Sequence, residues 1–276
     1  MANSVNTNLG ALVALQNLNA TNAELSATQS RINTGKKVGS AKDNGAIWAI
    51  AQGQRSEIGA LGVVRASLDR GVSAVDVSLA AGESISDLLV QMKEKALAAT
   101  DRSLSTSSRS ALNEDFKALR DQITSAANAA DFNGVNLLKA GATGFQALAN
   151  AAGTTTLTVG AEVLALGSTN VTVAATTTIG TATLASTALG LVNASLDKVS
   201  GALARLGTKS KALDTHRIFV GKLTDAMESG VGNLVDADLA KESARLQSLQ
   251  TKQQLGVQAL GIANQSPQIL LSLFRN

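Results

Sequence analysis

The chain has one histidine, His216, and no cysteine, so the side chains that most often serve as bases, thiolate nucleophiles or soft metal ligands are almost missing. His216 falls three residues after Leu213 and four before Val220. That spacing places it at the border of an apolar helix face, where it lines an interface rather than acting as a base. Asp236-Ala-Asp238 brings two carboxylates together, but Ala240 and Gln247 stand where a calcium loop needs further oxygen ligands. Val220-Gly-Lys-Leu-Thr224 holds a Gly-Lys pair without the upstream glycine that a phosphate loop uses to wrap its ligand. No catalytic group, metal site or cofactor site is expected, and the missing cysteines also exclude a disulfide framework.

The charge balance narrows the partners. Lys and Arg number 24 against 21 Asp and Glu, and Lys36-Lys37 is the longest basic run. A nucleic-acid surface would show a basic stripe with stacking aromatics beside it, so no nucleic-acid partner is expected. No apolar run approaches the roughly 18 to 20 residues of a membrane span, and neither end carries the basic face of an interfacial anchor. Membrane insertion is therefore not expected either. No basic stretch followed by an apolar run and a cleavage site opens the chain, so export, if it occurs, is expected to use another route.

With these chemistries set aside, the elements themselves carry the information. Five Phe, one Trp and no Tyr accompany abundant Ala, which suits thin layers of helix on helix better than a thick aromatic core. The one proline, Pro267, leaves long helices uninterrupted. Leu18, Leu25 and Ile32 repeat every seven residues, with Leu15, Asn22 and Gln29 three before each, a heptad-like seam with polar insertions. Gly35, Gly39 and Gly45 then break the pattern, and Ser40 with Asp43 resembles a capping box that starts the next helix. Further seams run through Leu68, Val72, Val75 and Leu79, through Ile85, Leu89 and Met92, and through Leu112, Phe116, Leu119 and Ile123.

Between Gly141 and Gly190 the texture changes to thirteen Thr and a single charge, Glu162. The pieces TTTLTVG and NVTVAATTTIG alternate Thr with apolar residues and are bounded by Gly, which predicts strands of a hairpin, with a flexible loop as the alternative. Helix resumes at Val192, Leu196, Val199, Leu203 and Leu206 and continues through Leu213, Val220, Leu223 and Met227, with a pause predicted at SGVGN. A last helix begins near Asp236 with Leu239, Leu246, Leu249, Val257 and Leu260 on its apolar face.

The two ends share an unusual chemistry. No side-chain charge precedes Glu24 or follows Lys252 until Arg275, and Gln247, Gln250, Gln253, Gln254 and Gln258 replace the Lys and Glu of an ordinary solvated helix. From Asp236 to Gln265 a helix would extend about 45 Å. Amides in place of ions suit a surface enclosed by other protein, where an ion loses its hydration and an amide finds partners. The ends are therefore expected to pair as an antiparallel coiled coil and then to pack against copies of themselves. The fold class is mainly α: long antiparallel helices and a coiled coil formed by both termini, with a small β-hairpin-rich insert.

Three stretches resemble the bacterial flagellins: RINTGKKVGSAKDNGAIWAI from Arg31 to Ile50, ADFNGVNLL from Ala130 to Leu138, and the run from Leu234 to Phe274. Their order and spacing match, and the pattern is most similar to alphaproteobacterial flagellins, including those of stalked bacteria. The resemblance implies a structural subunit, not an enzyme, that self-assembles into the extracellular helical filament used for swimming. A hook-filament junction protein, which has similar termini, is the alternative. It implies a terminal coiled-coil domain of residues 1–44 and 236–276 lining the filament core, and an α-rich outer domain of residues 45–235 that includes the Thr-rich insert at 141–190. Leu12, Leu15, Leu18, Leu25, Ile32, Leu239, Leu246, Leu249, Val257 and Leu260 become packing positions, and Arg31, Gly35, Gly39 and Asp43 belong to the connection between domains. Implied partners are many copies of the chain, alone or together with other flagellins, the flagellar secretion apparatus, a secretion chaperone, and cap and junction proteins. One departure stands out: Gln91 and Lys95 replace the Arg and Leu that many flagellins present to an innate immune receptor.

Overall fold

The computed structural model describes the backbone of residues 7–273 and the side chains of residues 7–265. The extreme ends of the two uncharged runs, residues 1–6 and 274–276, lie outside the described residues, as do the side chains from residue 266 onward. Five helices and one hairpin follow in order: α1 Leu9–Thr34, α2 Gly45–Ala99, α3 Thr106–Ala129, β1 Phe145–Leu148, β2 Thr156–Val159, α4 Ala182–Val235 and α5 Leu239–Leu273. The chain is mainly α, and it divides into two compact units, residues 57–225 and the combined ends 1–56 and 226–276. The divisions fall inside α2 and α4, because no residue interrupts either helix there.

In the unit of residues 57–225, α2 and α4 run antiparallel. Arg217 pairs with Asp69 at 3.2 Å and Ser210 donates to Asp76 at 3.2 Å, which fixes the register. The apolar positions at steps of three and four point inward: Leu68, Val75, Ile85, Leu89 and Met92 from α2 and Val192, Val199, Leu206, Leu213 and Val220 from α4 are buried. Helix α3 adds Phe116, Leu119 and Ile123, and its start is tied to the end of α2 by Arg109, which donates to the carbonyls of Ala99 and Asp101 at 3.1 and 2.7 Å.

The Phe-Asn-Gly turn has a clear physical cause. Phe132 and Val135 exchange two backbone hydrogen bonds of 2.9 and 3.0 Å around Asn133 and Gly134, whose φ angles are 51° and 83°. Two positive φ values in a two-residue loop define a type I′ turn, which Asn-Gly adopts at least cost. Asn136 then closes the segment. It donates to the carbonyls of Ala127 and Asn128 at the end of α3 and accepts from the amides of Leu138 and Lys139.

The Thr-rich segment behaves differently from expectation. TTTLTVG does supply β2, but its partner is FQAL of β1, antiparallel with Phe145 opposite Val159 and Leu148 opposite Thr156. NVTVAATTTIG forms no strand. Its Val171, Val173 and Ile179 enter the core, and its backbone is satisfied by helix side chains: Ser195 Oγ accepts from Thr172 N at 2.9 Å and Asn113 Oδ1 from Ile179 N at 2.8 Å. A polar group paired by a side chain needs no ladder.

Two boundary expectations also change. The SGVGN stretch does not pause the helix, since α4 continues to Val235. Each glycine there costs about 1 kcal/mol, but Val231 and Val235 are buried and return about 1.5–3 kcal/mol apiece. Ser40 and Asp43 form a turn rather than the helix start. Asn44 is the residue whose Oδ1 accepts from Ile47 N, at 3.1 Å, as α2 begins.

Candidate functional site

Within the unit built from the chain ends, α1 and α5 pair as a two-helix antiparallel coiled coil. Asn8 caps α1 with its side-chain oxygen on Ala11 N, and its Nδ2 donates across the pair to the Ala263 carbonyl at 2.6 Å. The register continues through Gln253 Nε2 to Asn22 Oδ1 at 2.7 Å, Arg245 to Glu24 at 3.3 Å and Arg31 to Glu242 at 3.3 Å.

The inward positions are Ala11, Ala14, Leu18, Thr21, Leu25, Thr28 and Ile32 on α1, and Glu242, Leu246, Leu249, Gln253, Gly256, Leu260 and Ala263 on α5. Both series alternate steps of three and four, as interlocking helices require. Small residues let the backbones approach: a Cβ on Gly256 would lie 3.2 Å from Leu18 Cδ1. Only Thr28 and Leu249 are fully buried, at 1% and 3% exposure.

Of the expected packing residues, Leu18, Leu25, Ile32, Leu246, Leu249 and Leu260 therefore meet in this seam. Leu12, Leu15, Leu239 and Val257 do not: they are 57%, 43%, 50% and 56% exposed. The second heptad position of α1 lies four residues before each Leu or Ile, at Ala14, Thr21 and Thr28, and not three before, at Leu15, Asn22 and Gln29, because small residues permit the closer contact. Gln253 likewise turns inward, whereas Gln247, Gln250, Gln254 and Gln258 remain exposed. The signal that would have found the true seam is the sevenfold recurrence of small residues, a weaker mark than Leu.

Exposed apolar side chains surround the pair. Leu9, Leu12, Val13 and Leu15 from α1 and Leu239, Leu255, Val257 and Ile262 from α5 all face outward. They share that outer surface with amides, and beyond Glu24 and Lys252 toward the ends no described side chain carries a charge.

The expected connecting residues cluster at the other end of the coil. Lys36 and Asp236 form a β-bridge, the amides of Lys37 and Val38 donate to the Val235 carbonyl, and Ala237 N donates to the Gly35 carbonyl at 2.9 Å. The Asp43 carboxylate accepts from Ser40 N at 2.9 Å, from Ser40 Oγ and from Gly39 N. The Ser40 amide and hydroxyl, then the Gly39 amide and the charge of Arg31, hold the Asp43 carboxyl below its ordinary value.

His216 lies elsewhere, in the unit of residues 57–225, where its Nε2 bonds the Ala149 carbonyl at 2.8 Å and its ring tilts against Phe219. Among the described residues no group of three or more His, Cys, Asp or Glu is placed to hold a metal, and no helix is long and apolar enough to cross a membrane.

Comparison with known proteins matches this architecture at both ends. Residues 5–143 fit the bacterial flagellin N-terminal helical region and residues 189–274 fit the bacterial flagellin C-terminal helical region. Flagellin FljM of Caulobacter vibrioides is 60% identical over 99% of each chain, and a flagellin of Brucella melitensis is 37% identical over 99% of each. A putative flagellar hook-associated protein from Vibrio parahaemolyticus shares the fold, with a TM-score of 0.58 over 70% of this chain and 100% of that one, at 16% identity. That fold likeness does not favour the junction alternative, since the full-length sequence matches are to flagellins. The chain belongs to the bacterial flagellin family, a structural family of flagellar filament subunits, and within it to the alphaproteobacterial flagellins.

Proposed function

We propose that the terminal domain of residues 1–44 and 236–276, the coiled coil of α1 and α5, is the assembly element of this filament subunit and lines the filament core, with residues 45–235 as the outer domain. The observation that carries this reading is the outer face of the pair. Eight exposed apolar side chains, seven of them in the stretches that carry no charge, would be a liability on a free helix pair, and they become packing surface once copies enclose them. Leu12, Leu15, Leu239 and Val257 then contact neighbouring copies, while Leu18, Leu25, Ile32, Leu246, Leu249 and Leu260 hold the pair together. Arg31, Gly35, Gly39 and Asp43 form the connection between domains.

The subunit works as a homopolymer or mixed with other flagellins, a reading supported by the several related flagellins of one Caulobacter strain that match this chain. It is an extracellular, non-enzymatic component delivered by the flagellar secretion apparatus, with a chaperone holding the chain before assembly and cap and junction proteins at the filament ends. The test is seeded polymerisation: folded monomer is mixed with short filament seeds and followed by sedimentation and electron microscopy, beside a chain lacking residues 254–276. Long filaments from the full chain alone support the assembly role of the ends. Growth of the truncated chain at the same rate overturns it.

A further inference from the structure

Two Asn-Gly dipeptides occur, Asn44-Gly45 and Asn133-Gly134. Asn-Gly is chemically fragile. The glycine nitrogen, once its proton passes to base in solution, attacks Asn Cγ. An N–Cγ bond forms, the Cγ–Nδ2 bond breaks, and Nδ2 leaves as ammonia after taking up protons from water. Water then opens the five-membered imide at either carbonyl to give aspartyl or isoaspartyl peptide.

From the surroundings of the two sites we infer that Asn44 is a site of spontaneous deamidation in the folded chain and that the Asp131 carboxylate protects Asn133. At Asn133, the Gly134 N–H that must be lost is held by Asp131 Oδ1 at 2.9 Å. A carboxylate beside a nitrogen that must become anionic opposes its deprotonation, as any like charge does. The two bonds between Phe132 and Val135 also clamp the turn on both sides, so the ring cannot close without opening it.

Asn44 is arranged oppositely. Residues 39–46 are all exposed, a Cβ at Gly45 would meet nothing within 4 Å, and among the described residues no acceptor holds the Gly45 amide. Ile47 N donates to Asn44 Oδ1 at 3.1 Å and Trp48 N to the Asn44 carbonyl at 2.9 Å, but neither bond engages the Gly45 nitrogen that must lose its proton. An isoaspartyl residue here would add one carbon to the main chain at the start of α2 and remove its cap. The inference is independent of the filament reading, since it concerns the folded monomer.

The full-length chain is incubated in mildly alkaline buffer, folded and in urea, and both peptides are followed by mass spectrometry with fragmentation that separates aspartyl from isoaspartyl products. In urea the two sites should react at similar rates, because each has glycine next in sequence. Folding should slow Asn133 roughly ten- to a hundredfold, the range expected when a hydrogen bond to a charged group must be broken, and leave Asn44 within a few-fold of its urea rate. Asp131→Ala should release Asn133, and Asp131→Asn, which keeps an acceptor without the charge, should fall between. Equal rates at the two sites in the folded wild-type chain overturn the inference whether or not the variants fold. So does a folded Asp131→Ala chain whose Asn133 remains as slow as wild type.

Discussion

Replacing Asn136 by alanine tests whether the geometry of the turn after α3 rests on one side chain's four hydrogen bonds. Two of its partners, Leu138 N at 2.8 Å and the Ala127 carbonyl at 2.9 Å, belong to residues that are 0% and 1% exposed. The other two, Lys139 N and the Asn128 carbonyl, belong to exposed residues and can turn to water. Each buried orphan costs about 1–3 kcal/mol, so the substitution should destabilise the unit of residues 57–225 by about 3 kcal/mol. For a unit of this length that lowers the melting temperature by about 6–12 °C. The assay is calorimetry on the monomer, following the transition of this unit separately from that of the chain ends. Asn193→Ala, at an exposed position in α4, is the control and should shift the transition by less than about 2 °C. An Asn136→Ala shift no larger than the control's refutes the reasoning: it would mean the orphaned groups find water or new partners at little cost.

Leu249→Ala should destabilise the coiled coil of the chain ends by about 2–4 kcal/mol, read as lost helical circular dichroism in the monomer, whereas Val257→Ala, at an exposed position, should leave the monomer unchanged and raise the critical concentration for assembly. Acidification should loosen the Ser40–Asp43 turn. A carboxyl whose folded pKa is depressed contributes stability that is complete above its unfolded value and lost as pH falls through the folded one, so hydrogen exchange at the Gly39 and Ser40 amides, compared at fixed intrinsic rate, should lose protection only below the ordinary carboxylate range of 3.8.

Much of the helical core was legible because long leucine-like side chains at steps of three and four leave little choice of face. Ile85, Leu89 and Met92 or Phe116, Leu119 and Ile123 are buried as their spacing requires. The seam of the chain ends was legible only where it used Leu and Ile. Ala14 and Thr28 pack there because two backbones come close, a property of the pair that neither helix shows alone. The Thr-rich segment misled for a related reason. Alternating Thr and Val suits a strand, but Val171 and Val173 met an unfilled core and Thr172 met Ser195, so tertiary packing overrode local preference. Asn44 replaced Ser40 at the start of α2 because Asp43 was already engaged by Ser40 and Gly39.

The pairing of α1 with α5 also governs when the chain can finish folding. Asn8 and Ala263 touch across 255 positions of sequence, whereas the unit of residues 57–225 is one continuous stretch. The equilibrium cost of so large a closure is slight, since each doubling of a loop adds only about 0.6 kcal/mol, but its timing is not. A chain made at a ribosome or passed end-first through a narrow conduit presents one terminus long before the other. The continuous middle can condense as soon as it is free. Whichever of α1 and α5 is presented first must wait without its partner until the other arrives, so the coil can close only after the middle has been delivered.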